Sequence, residues 1–269
     1  MKKNLTIIVM ISLLLIGCLN GCIGPTVTDT FSGEYSVDEQ TIVSVSNING
    51  AIEITGWNGD KVTVSAVKTS TSGEEELRKI NISVTQTEKH LEIETKYTGQ
   101  SLIQYGVDYS IRVPFNTTIE TLTTSNGAIQ ISHVKGDISA SSSNGAITIE
   151  NVEGVVSVST SNGHIGIQNV TGIGNLRTSN GAITAEIQSI QDDTSIETSN
   201  GAVTVYVNPL INATFEMTTS NAKVQLQEIT LNVSLLEATH VIGTLGTDGQ
   251  KIDIRSSNAN IYVYKLQAY

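Results

Sequence analysis

The sequence predicts an all-β solenoid built from stacked coils of about 18–21 residues, with a strand-rich N-terminal part. Four observations carry this. Ser-Asn-Gly, followed by Ala or His and then an aliphatic residue, recurs from Ser125, Ser143, Ser161, Ser179 and Ser199, with degenerate copies at Ser220 and Ser257. Asn126, Asn144, Asn162 and Asn180 are 18 residues apart; Asn200 follows after 20, Asn221 after 21 and Asn258 after 37. Of 269 residues, 33 are Ile and 24 Val, side chains stiff at χ1 that suit a pleated strand. Finally, Ile147-Thr148-Ile149 and Val156-Ser157-Val158 alternate apolar with polar, the period of a half-buried strand. A fixed short period is the mark of a repeat architecture.

Composition narrows the remaining classes. Charged residues are 15%, aromatics 4% and Pro only 3 in number, against a Pro-rich disordered chain, a coiled coil or a helical bundle. The net charge of −11 excludes a nucleic-acid binder driven by phosphate contacts.

Residues 1–22 read as an address. Lys2 and Lys3 precede an apolar run from Leu5 to Ile16, shorter than the ~20 residues of a spanning helix. Leu15-Ile16-Gly17-Cys18 and Leu19-Asn20-Gly21-Cys22 each resemble the lipobox of exported lipoproteins, which implies lipidation of Cys18 or Cys22. Cys18 fits better, because Asn20 is awkward inside a lipobox. An ordinary cleaved signal and an uncleaved single-span anchor stand beside this reading. Both Cys residues lie here, so the mature domain is expected to have no disulfide and no Cys-ligated metal. Without Lys2 and Lys3 its charge is 13 basic against 26 acidic, or −13, which repels anionic lipid. Residues 23–36, polar and unpatterned, are expected to be a tether that holds the domain off the membrane.

Residues 37–266 are expected to form a single domain, irregular over 37–113 and coiled over 114–266. The first part has candidate strands at 41–45, 51–55, 61–68, 80–87, 91–97 and 109–113, and a helical turn or two at 73–79. It is expected to pack, sandwich-like, on the first coil. In the second part Gly136, Gly154 and Gly172 each lie ten residues past an Asn. Each 18-residue unit is therefore expected to be a strand, a Gly corner, a second strand and an Asn-Gly corner. Both residues of Asn-Gly tolerate φ > 0, so the pair makes a tight turn. A meander of hairpins gives no reason for one turn at one phase, whereas stacked coils do. The corners Asn126-Gly127, Asn144-Gly145, Asn162-Gly163, Asn180-Gly181 and Asn200-Gly201 are expected to align, their amides forming a buried ladder. About eight coils are expected up to Leu266. The 37-residue gap reads as two periods with one copy worn away, and the strand 260–265 as an end cap.

The pieces Asn49-Gly50-Ala51-Ile52-Glu53-Ile54-Thr55-Gly56-Trp57, Asp108-Tyr109-Ser110-Ile111-Arg112-Val113-Pro114 and the Ser-Asn-Gly-Ala-Ile units resemble the DUF4097 adhesin family of β-strand-repeat proteins over residues 40–265. The resemblance implies a right-handed parallel β-helix-like fold on the cell surface or envelope, and it carries over no functional residues.

The chain is expected to be no enzyme and to use no metal or cofactor. His90, His133, His164 and His240 have no partner at a metal-ligand spacing, and no P-loop, Rossmann or Gly-x-Ser-x-Gly motif occurs. His164, in place of the usual Ala, is expected to point outward. Asp192-Asp193 sits where the period lengthens and marks a bulged loop rather than a calcium site. Trp57, in a Gly-rich turn, is expected to cover the end of the core. Five glycosylation sequons follow the signal, as chance alone yields in so Asn-, Ser- and Thr-rich a chain. The expectation is a lipid-anchored, non-catalytic surface module of adhesive or scaffold type. Its partners would be the membrane through the lipid, and polysaccharide or an envelope protein. The alternatives are an envelope-sensing accessory module and, further off, a carbohydrate-active β-helix enzyme. A row of aromatics on the surface would favour sugar binding.

Overall fold

The structure is a computed structural model that describes residues 26–99 and 105–267. Its strands are β1 (Val27–Ser36), β2 (Ile42–Ser46), β3 (Ile52–Trp57), β4 (Lys61–Ser70), β5 (Ile80–Gln86), β6 (His90–Tyr97), β7 (Tyr105–Pro114), β8 (Thr118–Thr124), β9 (Ile129–Lys135), β10 (Ile138–Ser142), β11 (Ile147–Thr160), β12 (Ile165–Thr178), β13 (Ile183–Ile187), β14 (Thr194–Thr198), β15 (Val203–Val207), β16 (Ala213–Thr219), β17 (Val224–Gln227), β18 (Asn232–Leu236), β19 (His240–Leu245), β20 (Gln250–Ser256) and β21 (Ile261–Lys265). One helical turn, α1 (Glu74–Leu77), lies between β4 and β5, as its acidic start and basic sequel suggest.

The strands stack in parallel rows as a β-solenoid with two long faces. Along the stack the rows run β6–β7, β2–β3, β8–β9, β10 with the first half of β11, the second half of β11 with the first half of β12, the second half of β12 with β13, then β14–β15, β20–β21 and β16–β17. At about 4.8 Å per row these nine rows span roughly 40 Å. Inward Ile and Val columns from both faces meet in one core: Ile52, Ile129, Ile147, Ile165, Ile183, Val203 and Ile261 are all fully buried. Such continuous apolar columns are what stacked coils bury and an isolated coil cannot.

Chain order and stacking order differ at both ends. The β2–β3 row, early in the chain, lies between β6–β7 and β8–β9. The β20–β21 row, late in the chain, lies between β14–β15 and β16–β17. Thus residues 37–113 are not a sandwich packed on the first coil; they supply two rows of the solenoid itself. The strand 260–265 is no cap either, because β21 is interior. The 37-residue gap before Asn258 holds β17, the antiparallel strands β18 and β19, and β20, not a worn copy. Seven of the nine rows come from residues 114–266, against the eight coils expected there.

Antiparallel strands close most of the open edges. On one face β5 pairs with β6, and β19 then β18 extend beyond β16. On the other, β4 pairs with β7 and β1 pairs with β4 over ten residues. Residues 27–36, expected as part of the tether, are therefore a strand of the domain. Phe31 packs on the core and Tyr35 is buried in it, which anchors a segment whose sequence looks unpatterned.

Candidate functional site

The expected corners do align. Side-chain amides run in a ladder along the stack: Asn126 donates to Asn49, Asn144 to Asn126, Asn162 to Asn144, Asn180 to Asn162, Asn200 to Asn180, Asn258 to Asn200 and Asn221 to Asn258, all at 2.6–2.8 Å. Most of these amides are exposed, so the ladder is not the buried one expected. Each amide satisfies its neighbour at the solvent boundary.

The glycines of these corners serve close approach rather than φ > 0. A Cβ on Gly145 would collide with the carbonyl of Gly127, one on Gly163 with that of Gly145, and likewise for Gly181 and Gly201. None of these four is among the positive-φ residues. Behind each corner sits a Thr or Ser that the Ser-Asn-Gly tripeptide omits: Thr124, Ser142, Thr160, Thr178, Thr198, Thr219 and Ser256, all buried. Thr160 donates to the Gly145 carbonyl (3.1 Å) and accepts from the Gly163 N–H (3.2 Å). Thr178, Thr198 and Ser142 repeat this clasp. The structural repeat is therefore Thr/Ser-Ser-Asn-Gly, and it is legible in the sequence once aligned.

Left-handed backbone occurs elsewhere, at His133, Asn151 and Asn169, again 18 residues apart (φ 57, 56 and 48). Asn169 donates to Asn151 at 2.7 Å, a second, shorter ladder beside the bends at Gly136 and Gly154. Gly154 and Gly172 lie within the continuous strands β11 and β12, so these corners bend strands rather than end them.

Of the other residues singled out in the sequence, Cys18 and Cys22 lie outside the described residues. Among the described residues no three His, Cys, Asp or Glu gather as metal ligands. His90 is exposed, and His240 faces Glu216 at 3.4 Å. Asp192 and Asp193 lie in the loop between β13 and β14, where Asp193 accepts from the backbone of Lys251 (2.8 Å). Trp57 does not cover the core; it points outward, donates to the Lys61 carbonyl (3.1 Å) and carries the Arg112 guanidinium 4.2 Å above its ring.

A hollow of about 520 Å³ opens on the face made by β11, β12, β13 and β15. Two outward sets of side chains run along this face. Thr148, Gly166, Thr184, Thr204 and Tyr262 follow one another in register; beside them Glu150 pairs with Gln168, and Glu186 with Tyr206 and Tyr264. Of these, Thr148, Gly166, Thr184, Glu150, Gln168, Glu186 and Tyr206 line the hollow. Gly166 breaks the Thr column and leaves the floor low. His164 and Tyr206 line the walls, and Leu266, held by its N–H to the Val207 carbonyl (2.8 Å), closes one side. Glu186 is buried and accepts from the backbone N–H of Asn169 (3.0 Å). Tyr206 stacks on Tyr264, ring centres 5.3 Å apart. The signal for this hollow is in the sequence: the coil with Asn162-Gly163-His164-Ile165-Gly166 departs from Asn-Gly-Ala-Ile-Thr at its two outward positions.

A family model described as Toastrack DUF4097 matches residues 23–264. No curated protein matches the chain. Among solved structures, a "putative cell adhesion protein" from Clostridium sporogenes ATCC 15579 is similar at 13% identity, over 88% of this chain and 99% of that one, with a TM-score of 0.34. A "putative adhesin" from Bacteroides fragilis NCTC 9343 is similar at 12% identity, over 87% and 96%, with a TM-score of 0.42.

Proposed function

The chain belongs to the Toastrack DUF4097 family, and from that premise we propose that it is a non-catalytic module, anchored by an N-terminal lipid to the outer face of the cell membrane, that adheres through its long faces. The observation that carries the proposal is the corner architecture. The main repeated side chains, Thr/Ser and Asn, bond to the coils above and below rather than to a ligand. They stiffen a platform, and a stiff flat platform suits an extended partner. Glycoside cleavage needs a proton donor and an acceptor free to face one bond. In the hollow, Glu186 already spends an oxygen on the backbone of Asn169, which favours a holding role over a reacting one. The anchor rests on Leu15-Ile16-Gly17-Cys18 and its neighbour at Cys22. Among the described residues no helix is long and apolar enough to cross a membrane.

Mass spectrometry of the mature N-terminus from intact cells tests the anchor, with Cys18→Ser and Cys22→Ser compared. A lipid on one Cys, and cleavage of the domain by protease added outside, is the expected result. An unmodified chain released to the medium would overturn it.

A further inference from the structure

We propose that the hollow over Gly166 is a binding site for a neutral sugar chain. The assignment deepens the adhesive reading above, since it names what one face holds.

The chemistry of the walls selects the ligand class. Tyr206 stands against the hollow and is braced by Tyr264, which in turn stacks near Tyr262 at 6.4 Å. A braced phenol ring is a flat apolar wall with little rotamer freedom left to lose, as the C–H face of a pyranose requires. Beside it, Glu150, Gln168 and Glu186 line the hollow, Glu150 and Gln168 as register partners on neighbouring strands. Planar carboxylates and amides accept and donate to neighbouring hydroxyls in pairs. Threonine hydroxyls at Thr148 and Thr184 flank the low floor. From the β11 row to the β15 row is three strand spacings, about 14 Å, long enough for more than one ring.

The same walls argue against other ligands. No Lys or Arg lines the hollow while two Glu do, so an anionic sugar or phosphate would meet uncompensated charge. A quaternary ammonium is held by aromatic faces on several sides. Here the tyrosines stack on one another and Tyr206 alone lines the hollow.

Gly166 supplies a clean test. The nearest atoms to a Cβ there belong to the His164 ring (Nε2 3.3 Å, Cδ2 3.8 Å) and the Thr148 hydroxyl (3.8 Å), all side-chain atoms, and the exposed His164 ring can give the few tenths of an ångström needed. The register neighbours Thr148 and Thr184 show that a Thr suits this column. Gly166→Thr should therefore fold normally and fill the floor.

The experiment is saturation-transfer NMR and calorimetry on the full chain, in a polyoxyethylene ether detergent that carries neither sugar nor ammonium. The probes are maltotriose, N-acetylated chitotriose, a sialylated trisaccharide and tetramethylammonium. At least one neutral trisaccharide is expected to bind. Tyr206→Ala should weaken it roughly tenfold or more, about the worth of one stacked ring. Gly166→Thr should abolish binding with its thermal midpoint unchanged. The proposal is overturned if neither neutral trisaccharide binds, if binding survives both substitutions, or if the sialylated sugar or tetramethylammonium is the probe that these substitutions release. A sugar failure leaves the anchoring result standing, and a released chain leaves the binding result standing.

Discussion

Asn258 donates its side-chain amide to Asn200 at 2.8 Å, across 58 residues of sequence, while Asn221 stacks on the far side of Asn258. One chain order is thereby threaded into another. The last coil of the sequence is an interior coil of the stack, one row from its end, and its ladder contact records where it went.

Removing residues 250–267 should therefore not trim an end. It would delete the row between β14–β15 and β16–β17 and expose the inner edges of both. The truncated chain is expected to lose cooperative folding of its C-terminal half, seen as a broadened or lost far-ultraviolet melting transition. A sharp transition near that of the full chain would show that these strands close up without the row.

The glycines of the corner column should be intolerant of a side chain, and a glycine with open space over it should be tolerant. Gly163→Ala drives a methyl into the Gly145 carbonyl, where the three nearest atoms are all backbone of the neighbouring coil and no flexible end can yield. A cost of about 3 kcal/mol is expected, near the top of the usual overpacking range. At Gly106 the nearest atom to an added Cβ is 3.7 Å away, so Gly106→Ala should cost little. Urea midpoints of the two variants compare them directly, and equal midpoints would remove the stacking argument.

Breaking the amide ladder should cost less, because it is exposed. Asn162→Ala loses one donation to Asn144 and one acceptance from Asn180, for about 1 kcal/mol. Asn162→Asp keeps the acceptance but sets a carboxylate against the Asn144 oxygen. Its penalty at neutral pH should be larger and should shrink as pH falls through the carboxylate range, where a protonated acid can donate. A penalty independent of pH would argue that Asn144 simply turns its amide.

Alkaline stability should depend on Tyr109. Its phenol is buried against Thr95 (2.6 Å), and burial pushes its pKa up to about 12, from 10 for an exposed phenol. The neutral form thus favours the fold fully below pH 10, and that contribution is lost as pH rises from 10 to 12. Tyr105, also raised to about 12 by burial, adds to the same window. Tyr109→Phe should lower stability at pH 7 by about 1 kcal/mol, through the orphaned Thr95 hydroxyl. It should also flatten the fall between pH 10 and 12; an unchanged alkaline limb in urea titrations at pH 8 and 11 would contradict this.

Much of the fold is legible in the residues, because a solenoid repeats one local solution. The 18-residue phase of Asn126, Asn144, Asn162 and Asn180 is enough to stack them, and period-2 alternation is enough to point Ile147 and Ile149 inward. Asn47 to Ile52 is visible as an outlying copy, and Asn49 duly receives the amide of Asn126. The reason for the glycines was less legible. Asn-Gly suggests a left-handed turn, and Gly50 of the outlying Asn49-Gly50 has φ > 0, yet Gly127, Gly145, Gly163, Gly181 and Gly201 do not, while His133, Asn151 and Asn169 do. A local signal reports what a residue tolerates and cannot report what another coil places against it.

Strand content, the repeat, the corner column and the inward and outward sides of each coil can all be read along the chain, since they follow from side-chain period and volume. The order of the rows, the placing of 27–36 as a strand, and the meeting of Gly166, Glu186 and Tyr206 at one hollow emerge only when the coils are stacked. The physical reason is that parallel rows pair through backbone groups that every residue carries. Backbone pairing does not distinguish one coil from the next, so the order is settled by which arrangement buries the most apolar edge and leaves the fewest strands unpaired.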